Sequence, residues 1–388
     1  FWDPVENASL LPWFAMTALI HSLLVLEKRN LLYFWVIILC LLTFTLSVTG
    51  TFLVRSGILN SVHTFANDPS RGLFILIFLS LMILISVFLF LKKYEKRNFF
   101  VSSYSKETFI LINNWFMMFY LITVLLGTLY PIFVEVLLNN KISVGPPFYN
   151  SIIIPIAVLF LVLMAIGPKL KWIKSNFENL KISLSLFIAA ILLNILIVYF
   201  FRSLSIISNL IIISSLFLIF SSIIDLKKSI KKSNFDLSRI ISHTAFGFLI
   251  LFIGLNHNFS IEKDFNLKLG DTKTFENYKI KLENLKLKNF DNYRSVIGNL
   301  KITNVIENKQ NTLNPEIRIY ETPQMLTYEA AIKTNFIKDY YLTMSNVDRS
   351  EYYNIKFQKK PFMLWIWISV IMVSLGGFLR LFKNAKHN

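Results

Sequence analysis

The sequence predicts an all-α polytopic membrane protein of about nine transmembrane helices, with a small β-rich extracytoplasmic domain before the last helix. Three observations carry this reading. Hydrophobic residues make up 54% of the 388 positions and aromatic residues 15%, and the mean hydropathy is +0.55. A soluble chain of this length would not carry so much apolar sequence. Successive apolar runs approach or reach the roughly 20 residues needed to cross a bilayer. One long connector, by contrast, alternates apolar and polar residues with a period of two, as half-buried strands do.

The spans read from hydropathy are 8–26, 31–53, 72–91, 109–129, 150–167, 183–201, 205–224, 240–256 and 361–381. Their connectors alternate in charge. "EKRN", "KKYEKRN", "GPKLKWIKSNFENLK", "DLKKSIKKSNFDLSR" and the tail "RLFKNAKHN" are rich in Lys and Arg, whereas "RSGILNSVHTFANDPSR", "YPIFVEVLLNNKISVGPPFYN" and "FRSLS" are poor in them. The parity holds at every turn, so the positive-inside rule places the start of the chain outside and its end in the cytoplasm. The formal charge of +17, from 40 Lys and Arg against 23 Asp and Glu, follows from these clusters and from a general bias toward Lys. It is not the concentrated basic face that nucleic acid requires. Cys40 is the only cysteine and lies in an apolar run, which excludes an internal disulfide, a CxxC pair or a thiolate metal site. The first residue is Phe and no signal peptide is visible, so the chain is expected to begin inside a longer protein.

The expected organisation is a bundle of eight helices over 1–256, an extracytoplasmic domain over 257–360, and a last helix with a cytoplasmic tail over 361–388. Within the domain, "YKIKLENLKLKNF", "NLKITNVIE" and "PEIRIYE" are the clearest strands.

The opening stretch "FWDPVENASLLPWF" has the grammar of a helix start. Asp3 suits the N-cap, Pro4 the first helical position, and Glu6 the third residue after the cap. Trp2 and Trp13 fall where an interfacial aromatic belt would lie. His21, in "TALIHS", is less easily explained. It sits about one and a half turns from the inner end of a helix roughly 35 Å long. An imidazole facing lipid there would lack partners, so it is expected to face protein. His243, in "RIISHTAFGFLILFIGL", enters its own span at a matching depth, with Gly247 one turn beyond on the same face. Two inward imidazoles at one depth suit a bis-His haem b site. Spacing alone equally allows two unrelated packing histidines.

The outer loops near 54–71 and 130–149 carry the remaining candidates. The first holds Arg55, His63, Asp68 and Arg71. It is either an ordinary solvated loop or an anion and haem site, in which His63 supplies an axial nitrogen and Arg55 pairs with a propionate. The second, with "GTLYPIFVE" and "KISVGPPFYN", reads as ordered, because Gly145, Pro146 and Pro147 make a stiff turn.

Taken together, "FWDPVENASLLPW", "TALIHS", "GTFLVRSGILNSVHTFANDPSRG", "GTLYP", "SVGPPFYN", "PEIRIYETPQMLTYEAAI" and "WIWISVIMVSLGGFL" resemble CcmF, the cytochrome c-type biogenesis haem lyase subunit of the wider CcmF, NrfE and CcsA haem-handling family. The motifs run in the family's order and would cover about three-fifths of a full-length member. The resemblance implies a "WWD" haem-handling segment, of which Trp2, Asp3, Pro4, Glu6 and Asn7 are the remnant within 1–13. It implies that His63 is an outer-face axial ligand to incoming haem, and that His21 and His243 are the ligands of an internal haem b, with Gly247 beside it.

The function so implied is that of a haem lyase component in the bacterial inner membrane. It would receive haem from the chaperone CcmE and promote thioether attachment to the CxxCH of an apocytochrome c, with a CcmH-type subunit assisting and haem b supplying reductant. The alternatives are a b-type haem electron-transfer membrane protein, which gives His63 no role, and a transporter or scaffold without haem, for which no internal repeat is visible.

Overall fold

The structure, a computed structural model, describes residues 2–59, 69–94, 102–176, 180–200, 204–230, 236–347 and 351–384. Among these residues, nine helices are long and apolar enough to cross a membrane, and a β-sandwich precedes the last of them. The chain forms two compact units, Phe1–Phe235 and Asp236–Asn388.

The first unit holds α1 (Pro4–Arg29), α2 (Tyr33–Arg55), α3 (Pro69–Lys93), α4 (Lys106–Leu138), α5 (Pro146–Ile166), α6 (Leu180–Phe200) and α7 (Ile206–Ile230). Asp3 caps α1, accepting from the Val5 N–H at 2.9 Å, with Pro4 in the first helical position. Such a cap satisfies one of the amides left over at a helix start. At the other end Asn30 adopts a left-handed conformation and closes the helix on the Leu26 carbonyl. The chain then turns straight into α2.

Helix α1 packs against both α2 and α4. Its buried face, Asn7, Ala8, Leu11, Phe14, Ala15, Ala18, Ser22 and Val25, recurs at the spacing of one helical stripe. Much of that face is small, and a Cβ added at Gly50 of α2 would come within 3.2 Å of the Ala8 carbonyl. Small residues let helices approach closely where no hydrophobic drive separates them from lipid.

Polar side chains reinforce the contacts. The Asn114 amide of α4, turned to satisfy both its ends, donates to the Ala18 carbonyl (3.2 Å) and accepts from the Trp35 indole (3.1 Å) and the Ser22 hydroxyl (2.7 Å). Asn194 of α6 donates to Asn209 of α7 at 2.8 Å, and Ser221 of α7 donates to the Ala165 carbonyl of α5 at 2.5 Å.

Helix α4 runs on about two and a half turns past the apolar run that predicted it, through Pro131 to Leu138. Much of the segment expected as an outer loop is therefore helical.

The second unit begins with α8 (Leu237–Phe259), continues through ten strands, and ends with α9 (Met363–Asn384). Helices α8 and α9 pack closely. Ser238 Oγ donates to the Gly376 carbonyl at 2.7 Å, and a Cβ at Gly376 would lie 2.8 Å from the Ser242 amide. The strands are β1 (Ile261–Leu267), β2 (Thr272–Phe275), β3 (Tyr278–Asn289), β4 (Tyr293–Asn304), β5 (Lys309–Leu313), β6 (Glu316–Glu321), β7 (Gln324–Glu329), β8 (Ala331–Thr334), β9 (Lys338–Asn346) and β10 (Tyr353–Pro361).

One sheet has the order β1-β10-β9-β8. The other is β2-β3-β4-β6-β7, with β5 also on β4. Leu267, Ile280, Leu282, Leu300, Ile302, Ile317, Leu342, Met344, Ile355 and Phe357 fill the core between them. The three strand stretches named from periodicity become β3, β4 and β6. Because β1 continues from α8 and β10 leads into α9, the sandwich is tied to two helices through one antiparallel strand pair, Ile261 opposite Lys359.

Candidate functional site: one end of the helical unit

The predicted outer motifs of the first unit converge on the end where α1 begins. The Trp2 indole stacks on Tyr149, with ring centroids 4.4 Å apart and planes 12° apart, and its Nε1 donates to Asn150 Oδ1 at 3.2 Å. Both partners lie in the first turns of α5, in "GPPFYN". Asn7 sits between them. Its Nδ2 donates to the Tyr149 hydroxyl (3.1 Å) and to the Trp2 carbonyl (3.3 Å), and it is 2% exposed.

Trp2 has φ 64°, a left-handed backbone uncommon for a bulky residue. The Asn7 bond to its carbonyl, the Asn150 bond to its ring and the Tyr149 stack hold it there. The hydroxyl end of Tyr149 in turn lies against Gly127 of α4, where a Cβ would come within 2.7 Å of the ring. That position needs glycine for space, and it lies in the "GTLYP" motif.

The loop after α2 reaches the same place. Leu59 packs with Ala8 and Leu53, against Val5, Phe52, Leu129 and Ile132. A Cβ at Gly72, in the first turn of α3, would lie 3.1 Å from Ser56 at the end of α2. Ser56 and Gly72, which flank the loop, therefore lie close together, with Leu59 against Val5 and Ala8 of α1. Arg55 is exposed in the last turn of α2. His63 and Asp68 lie outside the described residues. Glu6 is exposed in the first turn of α1, and the roles of Asp3 and Pro4 are those of a helix start.

His21 lies deeper in α1, half-buried. Its Nδ1 is 2.8 Å from the Thr17 carbonyl. A carbonyl can only accept, so Nδ1 carries the proton, and in the neutral ring Nε2 then keeps its lone pair. Fixing one ring nitrogen on a backbone carbonyl is how ligating histidines are commonly oriented. This geometry fits an imidazole that binds haem iron through Nε2.

In the second unit, Asp236 caps α8 by accepting from the Arg239 N–H. His243 is half-buried and Gly247 is buried. Ser242 faces α9, so His243, one residue on, is turned about 100° away from that contact.

Sequence reading passed over Tyr149, Asn150 and Gly127 as members of the site. The signals were a stiff turn leading straight into "FYN" and a glycine one turn before Pro131. Neither pattern names a partner. At the other end of α1 it also passed over Glu107, a carboxylate 2% exposed that accepts from Arg29 Nε at 2.9 Å and from the Ile173 amide at 2.9 and 3.0 Å.

Comparison with known proteins gives a family likeness in both units. Residues 1–59 match the family described as "Cytochrome C assembly protein", and residues 258–361 match "CcmF C-terminal beta-sandwich". The cytochrome c-type biogenesis protein CcmF of Escherichia coli is 33% identical over 98% of the chain and 60% of its own length. CcmF of Haemophilus influenzae is 33% identical over 99% of the chain and 61% of its own length, and NrfE of the same organism is 27% identical over 98% and 61%. A solved structure titled "Cytochrome c Heme Lyase CcmF" shares the fold, with TM-score 0.76 and 21% identity over 97% of the chain and 59% of its own. The chain thus spans about three-fifths of the length of the curated relatives it matches. Over nearly its whole length it is similar to the CcmF proteins of cytochrome c-type biogenesis.

Proposed function

We propose that this chain is a haem lyase component of cytochrome c maturation, in the bacterial inner membrane, with the start of α1 on the outer side. The observation that carries the reading is the convergence of Trp2, Asn7, Tyr149 and Asn150 with the root of the His63 loop at one end of the helical unit. That arrangement suits a planar, carboxylate-bearing substrate held at a membrane surface.

Haem, delivered by the chaperone CcmE, is the substrate. The Trp2–Tyr149 stack offers it a rigid aromatic edge, Arg55 a cation for a propionate, and His63 an axial nitrogen. The reduced CxxCH thiols of an apocytochrome c, presented with a CcmH-type subunit, add across the vinyl groups. Each sulfur bonds one vinyl carbon, its hydrogen goes to the other, and no leaving group departs. The chain supplies no nucleophile; its share is position and orientation.

His21 and His243 are proposed to hold a haem b, which would supply one-electron reduction. Support for this comes from the Nδ1–H bond to Thr17, which leaves Nε2 of His21 as the ligating nitrogen.

The test is covalent haem attachment to a co-expressed apocytochrome by the full-length protein carrying Trp2→Ala or Tyr149→Ala. One aromatic pair contributes up to about 1.5 kcal/mol, so each variant is expected to lower attachment by up to about tenfold. Unchanged attachment in both would overturn the haem-platform reading.

A further inference from the structure

The membrane-proximal rim of the sandwich ends in two exposed apolar turns, and their surroundings identify what they touch. The β8–β9 turn carries Phe336, 65% exposed, and Ile337, 60% exposed; the β4–β5 turn carries Val305, 54%, and Ile306, 73%. A salt bridge from Lys338 to Glu307, at 2.5 Å, joins the two turns.

The level of this rim is set by α9. The Phe336 ring lies edge-on to Trp365, with centroids 4.9 Å apart, and Trp365 Nε1 donates to the Phe336 carbonyl at 3.0 Å. Trp365 and the 61%-exposed Trp367 stand in the first two turns of a helix apolar enough to cross the membrane. That is where interfacial tryptophans sit.

The backbone of the β8–β9 turn is also prepared for a poorly hydrated place. The Phe336 carbonyl is met by Trp365, the Ile337 carbonyl accepts from the Phe362 amide at 2.7 Å, and the Asn335 amide donates to the Lys338 carbonyl at 3.2 Å. A turn whose polar groups are met internally can enter the headgroup region without leaving them unsatisfied.

We propose that the Phe336–Ile337 and Val305–Ile306 turns insert into the bilayer surface beside α9. They would form a third attachment of the sandwich besides its junctions with α8 and α9. The partner is a lipid surface, and the inference does not depend on the haem chemistry.

The test uses the full-length protein in lipid nanodiscs, with Cys40→Ser removing the native cysteine of this chain. An environment-sensitive fluorophore is placed on Ile337→Cys, on Ile306→Cys, or on Leu287→Cys as the control. Leu287 is 72% exposed and lies nine residues along β3 from Tyr278, about 30 Å from the rim by strand rise. The expected result is blue-shifted emission at 337 and 306, quenched several-fold more strongly by lipids spin-labelled near the headgroup than the label at 287. The label at 287 should respond to aqueous iodide instead. Iodide quenching at 337 and 306 equal to that at 287 would overturn the proposal. Shielding of both sites from lipid and iodide alike would also overturn it, since protein would then cover the rim.

Discussion

At the scale of single residues, Asn7 carries more than its size suggests. A buried amide with two donor bonds fixes the backbone of Trp2 and the hydroxyl of Tyr149 together. Removing it would leave the Tyr149 hydroxyl without that donor and release Trp2 from an unfavourable φ. A buried polar group losing its partner costs about 1–3 kcal/mol. Asn7→Ala should therefore lower the thermal unfolding temperature of the detergent-solubilised protein and lower haem attachment with it. Tyr149→Phe keeps the ring on Gly127 and the stack on Trp2 while removing only the hydroxyl, so it should be milder. If Asn7→Ala and Tyr149→Phe behaved alike, the bond to the Trp2 carbonyl would carry no weight.

At the scale of elements, α1 is fixed at both ends by different chemistry. Its start is capped by Asp3 and held to α5 through Asn7. Its end is held by Arg29, whose Nε donates to Glu107 in the first turn of α4, while Glu107 also accepts from the Ile173 amide after α5. Arg29 is partly exposed, with a side-chain accessibility of 32% against 3% for Glu107, so the ion pair itself is screened and modest. The larger penalty would come from leaving the Ile173 amide and the guanidinium without their shared acceptor. Glu107→Gln keeps an acceptor oxygen and should be tolerated. Glu107→Leu should lower stability by about 1–3 kcal/mol, read as a fall in the unfolding midpoint. Equal effects of the two would mean that charge, and not the acceptor, holds this end. The helix itself was legible in the sequence because an N-cap, a proline at the first position and an apolar stripe all agree there. Its clasp was not, because Arg29 and Glu107 are 78 positions apart and each reads alone as a basic or acidic residue flanking a span.

At the scale of the whole molecule, the two histidines proposed for haem b stand far apart in the chain, His21 in α1 and His243 in α8. If both ligate one haem, His21→Ala and His243→Ala should each abolish the low-spin bis-His Soret and α-bands of the purified protein while leaving its helical content unchanged. Full retention of those bands in the double variant would remove both residues from the site. The bands probe ligation directly and do not depend on whether thioether formation is active.

By itself, the sequence determined the number and order of the spans and the β-rich domain before the last one. Hydrophobic period and charge alternation are local properties that survive without knowledge of neighbours. Tertiary structure alone decided which motifs share a place. Trp2 meets Tyr149 across 146 intervening positions, Gly127 makes room for that ring, and Leu59 packs against Val5 and Ala8 of α1. Such pairings depend on how helices pack side by side, and packing is set by the small face of α1 together with the faces of α2 and α4 that meet it, which no single stretch of residues records.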